Sequence, residues 1–510
     1  MKKLAVIDVG SNTTRMVVVN LYDNGSYRIV DELKEPVRLI SDMTQDNIIR
    51  PRRIQQLIKT LQMFKRLCTA NEITDIIPVL TAAVRRAANQ RSLLDEVYAA
   101  TGINLTLLTG EQEAIYVYQG VINTMDIDAG VIMDIGGGTV ELVHFEKRQV
   151  KNLACLPFGT VTLTEQFGLH DKVQPEQMDA IEEFIAAQFD ELPWLQNISN
   201  LPLIGVGGSF RNVGKVLRKK KKYSLDIAHN YFMTEKEVNL VYEGVKKLDL
   251  DGRMKIKGLS NERADIFLAA LAAMTSLIKR INSSDVYVSC TGMREGIIFE
   301  HIDPQLAVKP TPNVLDFSLR NLSGQYNENV EHAERVTQLA VSMFEQLRQL
   351  HKLPNSYLRL IRTAGMLHDI GQRIKYYDHH KHTFYMMING NLYGLNHRDR
   401  LMASFIAAFH RKEEMKKDYI KYGDIINGAD IDIINKLGVL IRIAESFDRC
   451  MSGVITGVSC DILGDSVIVK TAATADASLE IKDALTSGNI FKKAYGKNLV
   501  ILYLKEFKND

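Results

Sequence analysis

Two stretches of this 510-residue chain put carboxylates where a buried strand should be apolar. In "VIMDIGGGTVELVHF", residues 131–145, Asp134 precedes Gly136, Gly137, Gly138 and Thr139, and Glu141 follows on the far side of the glycines. In "LAVIDVGSNTTRMVVV", residues 4–19, Asp8 precedes Gly10, Ser11, Asn12 and Thr13. A third glycine turn, "LIGVGGSFRNV" at 203–213, offers Gly205, Gly207, Gly208 and Ser209, with Arg211 just beyond. A phosphate-binding turn needs several backbone N–H groups converging on one point, and side chains there would block the approach. The three turns therefore read as cradles for phosphoryl groups, with Thr139 adding a hydroxyl. Asp8 and Asp134 stand where a strand enters its turn, a placement that costs strand stability and that packing does not explain. Carboxylates beside bound phosphate suit a divalent cation, which takes oxygen ligands and bridges phosphate to protein. Glu141 returns across the turn toward the space of Asp134. No GxxxxGK[ST] occurs, so the site is not an ordinary P-loop.

The elements that must position these residues follow from hydrophobic period. Residues 4–9 and 16–21 read as a hairpin with a polar tip. "PRRIQQLIKTLQMFKRLCT", 51–69, has apolar residues at helical spacing behind an N-terminal proline. "TDIIPVLTAAVRRAAN" reads as strand, turn and helix start, and "INLTLLTGEQEAIYVYQGVI" as strand, Thr-Gly turn and a helix from about Glu111. Alternating strands and helices continue to about residue 300, an α/β unit built as two halves that each open on a glycine-turn hairpin. "HIDPQLAVKPTPN", 301–313, reads as a linker. Helical spacing then dominates to about residue 450, and the tail "DSVIVKTAATADASLEIKDALTSGNIFKKAYGKNLVILYL" reads as strand, helix, strand.

Bulk properties exclude several classes. A formal net charge of +2 with 24% charged residues points to neither a nucleic-acid binder nor a membrane-surface protein, so any anionic partner is met locally. The five cysteines are scattered and never form CxxC, which argues against a disulfide framework and a cysteine zinc site and fits a reducing compartment. The apolar run of "MKKLAVIDVGSNTT" stops at Asp8, too early for a signal peptide or a membrane span, so the expected location is cytoplasmic.

In this order, "VIDVGSNTTRMVV", "VLTAAVRRAAN", "LLTGEQEAIYVYQGV", "MDIGGGTVELV" and "GVGGSFRNV", continued by "NERADIFLAALAAM" and "SCTGMREGIIFE", resemble the exopolyphosphatase and guanosine pentaphosphate phosphohydrolase (Ppx/GppA) family. The resemblance implies the α/β actin-like fold of sugar kinases and heat-shock ATPases, with lobe I over 1–124, lobe II over 125–302 and the two hairpin turns facing each other across a cleft. It places the catalytic glutamate, base for the attacking water, on Glu113 in "TGEQEA", although Glu111 and Glu113 both lie near a helix N-terminus where an acid is expected anyway. Gln112 stands where the family often has a second acid. Asp134 and Glu141 match its metal-binding acids, with Asp8 beside them and Mg2+ or Mn2+ as the expected cation. Arg85 in "TAAVRRA" matches its phosphate-contacting arginine, Arg86 being the alternative if the register slips by one. The implied substrate is inorganic polyphosphate, with the guanosine nucleotide pppGpp as the alternative; "RKKKKYS" at 218 onward, with Arg211 and Lys215, could form part of a basic track. A homodimer is implied by the same resemblance.

Histidines are dense between residues 332 and 410. His332, the His368-Asp369 pair of "MLHDIG" and Asp448 of "RIAESFDRC" resemble the ligand set of the HD phosphohydrolase superfamily, where such residues hold a divalent metal. The chain is thus expected to continue with an all-α HD-like domain over 314–455, able to take a second divalent metal at these four residues, and a small α/β domain over 456–510. That domain reads either as a regulatory module or as the working hydrolase, with the α/β lobes then serving as a phosphate sensor.

Overall fold

The computed structural model describes residues 1–40, 43–44, 46–411 and 416–505, so positions 506–510 of the expected C-terminal domain lie outside the described residues. The chain divides into two compact units, Met1–Val314 and Leu315–Asp510.

Unit 1 contains two sheets. In the first, β1 (Lys2–Val9), β2 (Thr14–Leu21), β3 (Tyr27–Glu35), β4 (Asp75–Leu80) and β5 (Thr106–Leu107) lie in the order β3-β2-β1-β4-β5. In the second, β6 (Gly130–Ile135), β7 (Val140–Glu146), β8 (Gln149–Leu156), β9 (Leu203–Val206), β10 (Tyr231–Thr234) and β11 (Asp285–Val288) lie in the order β10-β11-β9-β6-β7-β8. The series β8-β7-β6-β9-β11 repeats β3-β2-β1-β4-β5 strand for strand, antiparallel in the hairpins and parallel beyond them, and β10 adds an antiparallel edge. The duplication expected for an actin-like α/β fold is therefore present. In each half the opening strand is central. Leu4 to Ile7 and Val131 to Met133 are fully buried, which is why these strands read as continuous apolar runs rather than alternating ones.

Helices cover the sheets. Pro51 opens α1 (Pro51–Ala70), whose Ile54, Leu57, Ile58, Leu61 and Phe64 form the buried stripe that the spacing predicts. A short α2 (Ala82–Arg85), α3 (Gly110–Ile122), α4 (Gly207–Lys221), the buried α5 (Phe267–Arg280) and α6 (Met293–Ile302) follow. The stretch 301–313 is not a plain linker: it holds the end of α6 and a separate helical turn, Gln305–Val308.

Unit 2 is helical from α7 (Val330–Gln346) through α8 (Leu358–Leu367), α9 (His379–Asn389), α10 (His397–Ala408) and α11 (Gly428–Phe447). It ends in a sheet of order β12-β13-β14, formed by β12 (Ile455–Leu463), β13 (Ser466–Ala473) and β14 (Asn498–Lys505), with α12 (Ser478–Leu485) and α13 (Gly488–Tyr495) between the last two strands. The tail is thus richer than strand, helix, strand. Gly457, Ser459 and Asp461 hide the strand character of β12, which its pairing with the alternating β13 enforces. Among the described residues no helix is long and apolar enough to cross a membrane.

Candidate active site

The two hairpins of unit 1 are built alike. Gly10 donates its N–H to the Thr13 carbonyl at 3.2 Å, and Gly136 donates to the Thr139 carbonyl at 3.0 Å. In the ladders that lead into these turns, Asp8 is the direct partner of Arg15 and Asp134 of Glu141. Directly opposed side chains share a face, so Glu141 does return to the space of Asp134. The hairpin tips meet: a Cβ placed on Gly137 would lie 3.6 Å from the Ser11 Cβ. Asp8, Gly10, Ser11, Asn12 and Thr13 line one side of the resulting cleft, and Asp134, Gly136, Gly137, Thr139 and Glu141 the other. Gly138 does not line it but faces Ile40 and Ser11. Gly159 approaches the second turn so closely that a Cβ would lie 2.5 Å from the Gly138 nitrogen, and the Val161 N–H donates to the Gly137 carbonyl at 2.9 Å. The 159–161 segment therefore braces the Gly137–Gly138 peptide.

The third glycine turn is a strand-to-helix junction, β9 running straight into α4. Gly207 has φ +90°, and a Cβ there would press within 2.9 Å of Asp134 Oδ1, so glycine is required on both counts. The N-terminus of this 15-residue helix opens on the cleft through Gly207 and Gly208, a favourable setting for an anion. Ser209 is buried and does not line the cleft. Gly205 is a packing residue, because the Phe210 ring occupies the space of its absent side chain. The basic run at 218–222 forms the other end of α4, roughly 17 Å from Gly207 by helical rise. There Arg218 is buried with its guanidinium 5.2 Å from the Tyr231 ring centre, and Lys221 pairs with Glu237, so the run lies outside the cleft.

Glu113 reaches the cleft from the first turn of α3. The cap of that helix explains its neighbours. The Gln112 N–H donates to Thr109 Oγ1 at 3.1 Å and the Thr109 N–H donates to Gln112 Oε1 at 2.9 Å, a reciprocal capping box. Glu111 points to solvent. With the cap supplied by Gln112, Glu113 is free for another role. Arg85 Nη1 donates to Glu113 Oε2 at 3.2 Å and to the Leu108 carbonyl at 2.9 Å. Arg85 Nη2 lies 3.6 Å from Cys155 Sγ, which itself lies 3.4 Å from Glu141 Oε1. Arg86 instead contacts the Pro157 carbonyl from an exposed position, so Arg85 is the arginine beside the acids.

The acids disturb one another. Burial and then Asp8 push Asp134 up to about 6, and burial and then Asp134 push Glu141 up to about 7. Burial and then Glu141 raise Glu113 well above the usual carboxylate range in spite of Arg85, and burial raises Asp8. Partly buried carboxylates that raise one another in this way are candidate donors for a hard divalent cation, whose charge would relieve them. Asp8, Asp134 and Glu141 offer carboxylate oxygens on the two sides of the cleft, but their three carboxylates do not converge on one point, so bound phosphate or water would have to complete the coordination of a cation there.

Arginines crowd the same cleft. Arg15, Arg211, Arg263 and Arg294 all line it. Burial and then Arg15 and Arg211 bring Arg263 down to about 10, and burial and then Arg294 and Arg211 lower Arg15. Glu32 balances part of this charge, accepting from Arg294 at 2.7 Å and lying 3.7 Å from Arg15. Arg15, Arg263 and Arg294 were not singled out from the sequence. Arg15 carried a signal, a cation inside a buried strand; Arg263 and Arg294 lie in "NERADIFLAALAAM" and "SCTGMREGIIFE", segments that carry the resemblance, but nothing in those segments gives them a role until packing places them at the cleft.

In unit 2 the structure brings His332, His368 and Asp369 together, and adds His379 and His410 to them. Asp448 is set apart as a partner rather than a member. Its Oδ2 accepts from His332 Nδ1 at 2.8 Å and from Arg335 Nε at 2.9 Å, and its Oδ1 accepts the Gly453 N–H at 2.9 Å.

The model of the Ppx/GppA phosphatase family matches residues 18–304, and that of domain III of the same family matches 314–484. Among curated relatives, a guanosine-5'-triphosphate,3'-diphosphate pyrophosphatase of Aliivibrio fischeri is 26% identical over 388 residues, 75% of each chain. Its Aeromonas hydrophila namesake is 26% identical over 449 residues, 86% of each. Among solved structures, an exopolyphosphatase from Cytophaga hutchinsonii aligns with a TM-score of 0.55 at 22% identity, covering 59% of this chain and 98% of that one. The Aquifex aeolicus member of the Ppx/GppA family aligns with a TM-score of 0.53 at 23% identity, covering 60% and 98%. With one family model matching more than half of the chain, residues 18–304, the chain belongs to the Ppx/GppA phosphatase family.

Proposed function

We propose that the cleft removes the terminal phosphate of inorganic polyphosphate by attack of water. The observation that carries this reading is the shape and charge of the space beyond the acids. The inner cavity, about 190 Å³, is smaller than an ordinary small-molecule site, whereas the adjoining groove measures about 730 Å³. Arg15, Arg211 and Arg263 line both, and Lys34 and Lys215 extend the groove. Among the described residues lining either space there is no aromatic side chain on which a purine could stack. Glu32 and Glu262 also line the groove, Lys34 pairing with Glu262 at 2.9 Å, but Arg15, Lys34, Arg211, Lys215 and Arg263 outnumber them, and an excess of cations with no stacking platform suits a polyanion with no base attached.

In this reading the N–H groups of the two hairpin turns and of the α4 N-terminus hold the terminal phosphoryl group. Glu113 removes the proton from the attacking water, its raised pKa bringing it nearer to the working pH of a general base. Arg85, which stands behind Glu113 rather than on the cleft wall, fixes the Glu113 carboxylate and adds positive charge to the acid end of the site. A divalent cation held by Asp8, Asp134 and Glu141 would neutralise phosphate oxygens. The departing chain end lies along the arginine groove.

The second reading, hydrolysis of the 5′ terminal phosphate of pppGpp, is favoured by the names of the Aliivibrio and Aeromonas relatives. Initial rates on long-chain polyphosphate and on pppGpp, taken with one preparation in Mg2+ and in Mn2+, separate the two. A clearly higher kcat/KM on polyphosphate supports the first reading, and a clear advantage for the nucleotide replaces it with the second.

A further inference from the structure

One row of side chains on the first sheet leads from the acids into the groove. Asp8 on β1 is the direct partner of Arg15 on β2, and Arg15 of Lys34 on β3, so the three share a face. Asp8 lines the inner cavity, Lys34 the groove and Arg15 both. Like charges directly opposed on a sheet repel, so Arg15 and Lys34 together call for an anion. Glu32 stands two residues before Lys34 on β3, on the same face by the strand period.

That acid supplies the anion. Glu32 Oε1 accepts from Arg294 Nη1 at 2.7 Å and lies 3.7 Å from Arg15 Nη1. Arg294 lines the inner cavity and Glu32 the groove, so the ion pair spans the neck between the two spaces. Burial opposes the charge on Glu32, yet Arg294, Arg15 and Arg211 together hold its carboxyl below the usual range, and it is ionised at neutral pH. The arginines are set into the wall, with 13% of the Arg294 side chain and 17% of the Arg15 side chain exposed, while 49% of Glu32 is open to solvent. A carboxylate and a phosphate make the same demand on a guanidinium, so either can fill this position.

We propose that Glu32 is an internal competitor of the substrate and sets its affinity: the Glu32 carboxylate fills the anion subsite at the neck that a phosphate of the chain must take over on its way into the inner cavity. The inference rests on the reading that the cleft accepts a phosphoanhydride chain. To reach Arg15 and Arg294 the chain displaces Glu32. The displacement costs the ion pair and leaves a like charge beside the polyanion, so the chain is held less tightly than the arginines alone would hold it. After each cleavage the carboxylate competes again as the chain moves, which favours release. Glu262 pairs with Lys34 at 2.9 Å in the same groove, but with 75% of its side chain exposed it is the weaker rival. Its removal takes the same charge from the same groove and so serves as the control.

The test compares Glu32→Gln and Glu262→Gln with wild type, each as the full chain, in steady-state kinetics on long-chain polyphosphate at saturating Mg2+ and low salt. Expected after Glu32→Gln is a KM lower by about three- to tenfold, with kcat changed by less than that, and after Glu262→Gln a smaller fall in KM. An unchanged KM after Glu32→Gln, or an equal fall after Glu262→Gln, overturns the proposal. A raised KM also overturns it and assigns the acid to holding Arg294 in place for substrate. Far-UV circular dichroism reports folding; should Glu32→Gln fail to fold, Glu32→Thr, which suits an edge strand, replaces it under the same criteria. If wild type acts on pppGpp and not on polyphosphate, the substrate reading fails, and the same KM comparison on pppGpp decides on Glu32, since its phosphates cross the same neck.

Discussion

Asp134 and Glu141 are direct partners across the β6–β7 hairpin, on one face of the sheet, and burial and mutual repulsion outweigh the arginines that act on each: Arg211, Arg15 and Arg263 on Asp134, Arg85 on Glu141. Two carboxylates so placed cost stability unless something positive joins them, and the substrate's own phosphates cannot serve that purpose. In the proposed reading the hairpin clamps a cation and phosphate, and the raised pKa values of its two acids are the cost that such a cation would relieve.

That cost is measurable. Glu141 titrates near 7 in the fold against 4.5 for a free side chain, so folding favours its protonated form. Its ionised form costs nothing below pH 4.5, and the cost grows until the pH passes 7, where it reaches roughly 3 kcal/mol. Glu141→Gln is therefore expected to stabilise the metal-free protein at pH 8 and to leave it unchanged near pH 4, while abolishing stabilisation by Mg2+ or Mn2+. Denaturant midpoints in chelator and in metal, at both pH values, check this.

The base sets the acid limb of the activity. Because burial and Glu141 raise Glu113 well above the carboxylate range, kcat/KM should fall with decreasing pH well before 4.5 is reached. Weakening the neighbour moves this limb: Glu141→Gln removes the second cause and should shift the residual activity's acid limb to lower pH. A pH profile of kcat/KM at saturating metal reads it.

Arg263 has no catalytic step to perform, so its loss should appear in substrate binding. Arg263→Ala removes one charged contact, worth about 1.5–3 kcal/mol, and should raise KM for polyphosphate about 10- to 100-fold with little change in kcat. The rise should shrink in high salt, since part of the contact is long-range attraction. Steady-state kinetics at two ionic strengths measure both effects.

Gly159 supports the phosphate turn without touching substrate. A methyl group there would sit 2.5 Å from the Gly137–Gly138 peptide, which must move. Gly159→Ala is expected to lose most activity through the displaced amides while the protein keeps its circular dichroism spectrum. An active, well-folded variant would show that the turn has slack.

Much of the cleft was legible in the sequence because its signals are local contradictions. Asp8 and Asp134 interrupt apolar strands, and glycines follow each at once. The strand order repeats where the motif repeats. What was not legible depends on packing between distant segments. Ser209 follows the glycines of its turn but points inward once β9 runs into α4, and the lysines at 219–222 are carried to the wrong end of that helix. Arg263 and Gly159 lie near no motif glycine, and only the closed fold brings them to the site. His379 and His410 stood in the histidine-rich stretch without a spacing to mark them; the first residue of α9 and the turn just after α10 deliver them to Asp369.

The role of Glu113 is tested most directly by Glu113→Gln, which keeps the size and the capping of α3. Turnover of polyphosphate by the variant is measured together with direct binding of polyphosphate in the presence of metal. A loss of about 10²- to 10⁴-fold in kcat with binding retained is expected of a general base. Turnover close to wild type would remove Glu113 from that role.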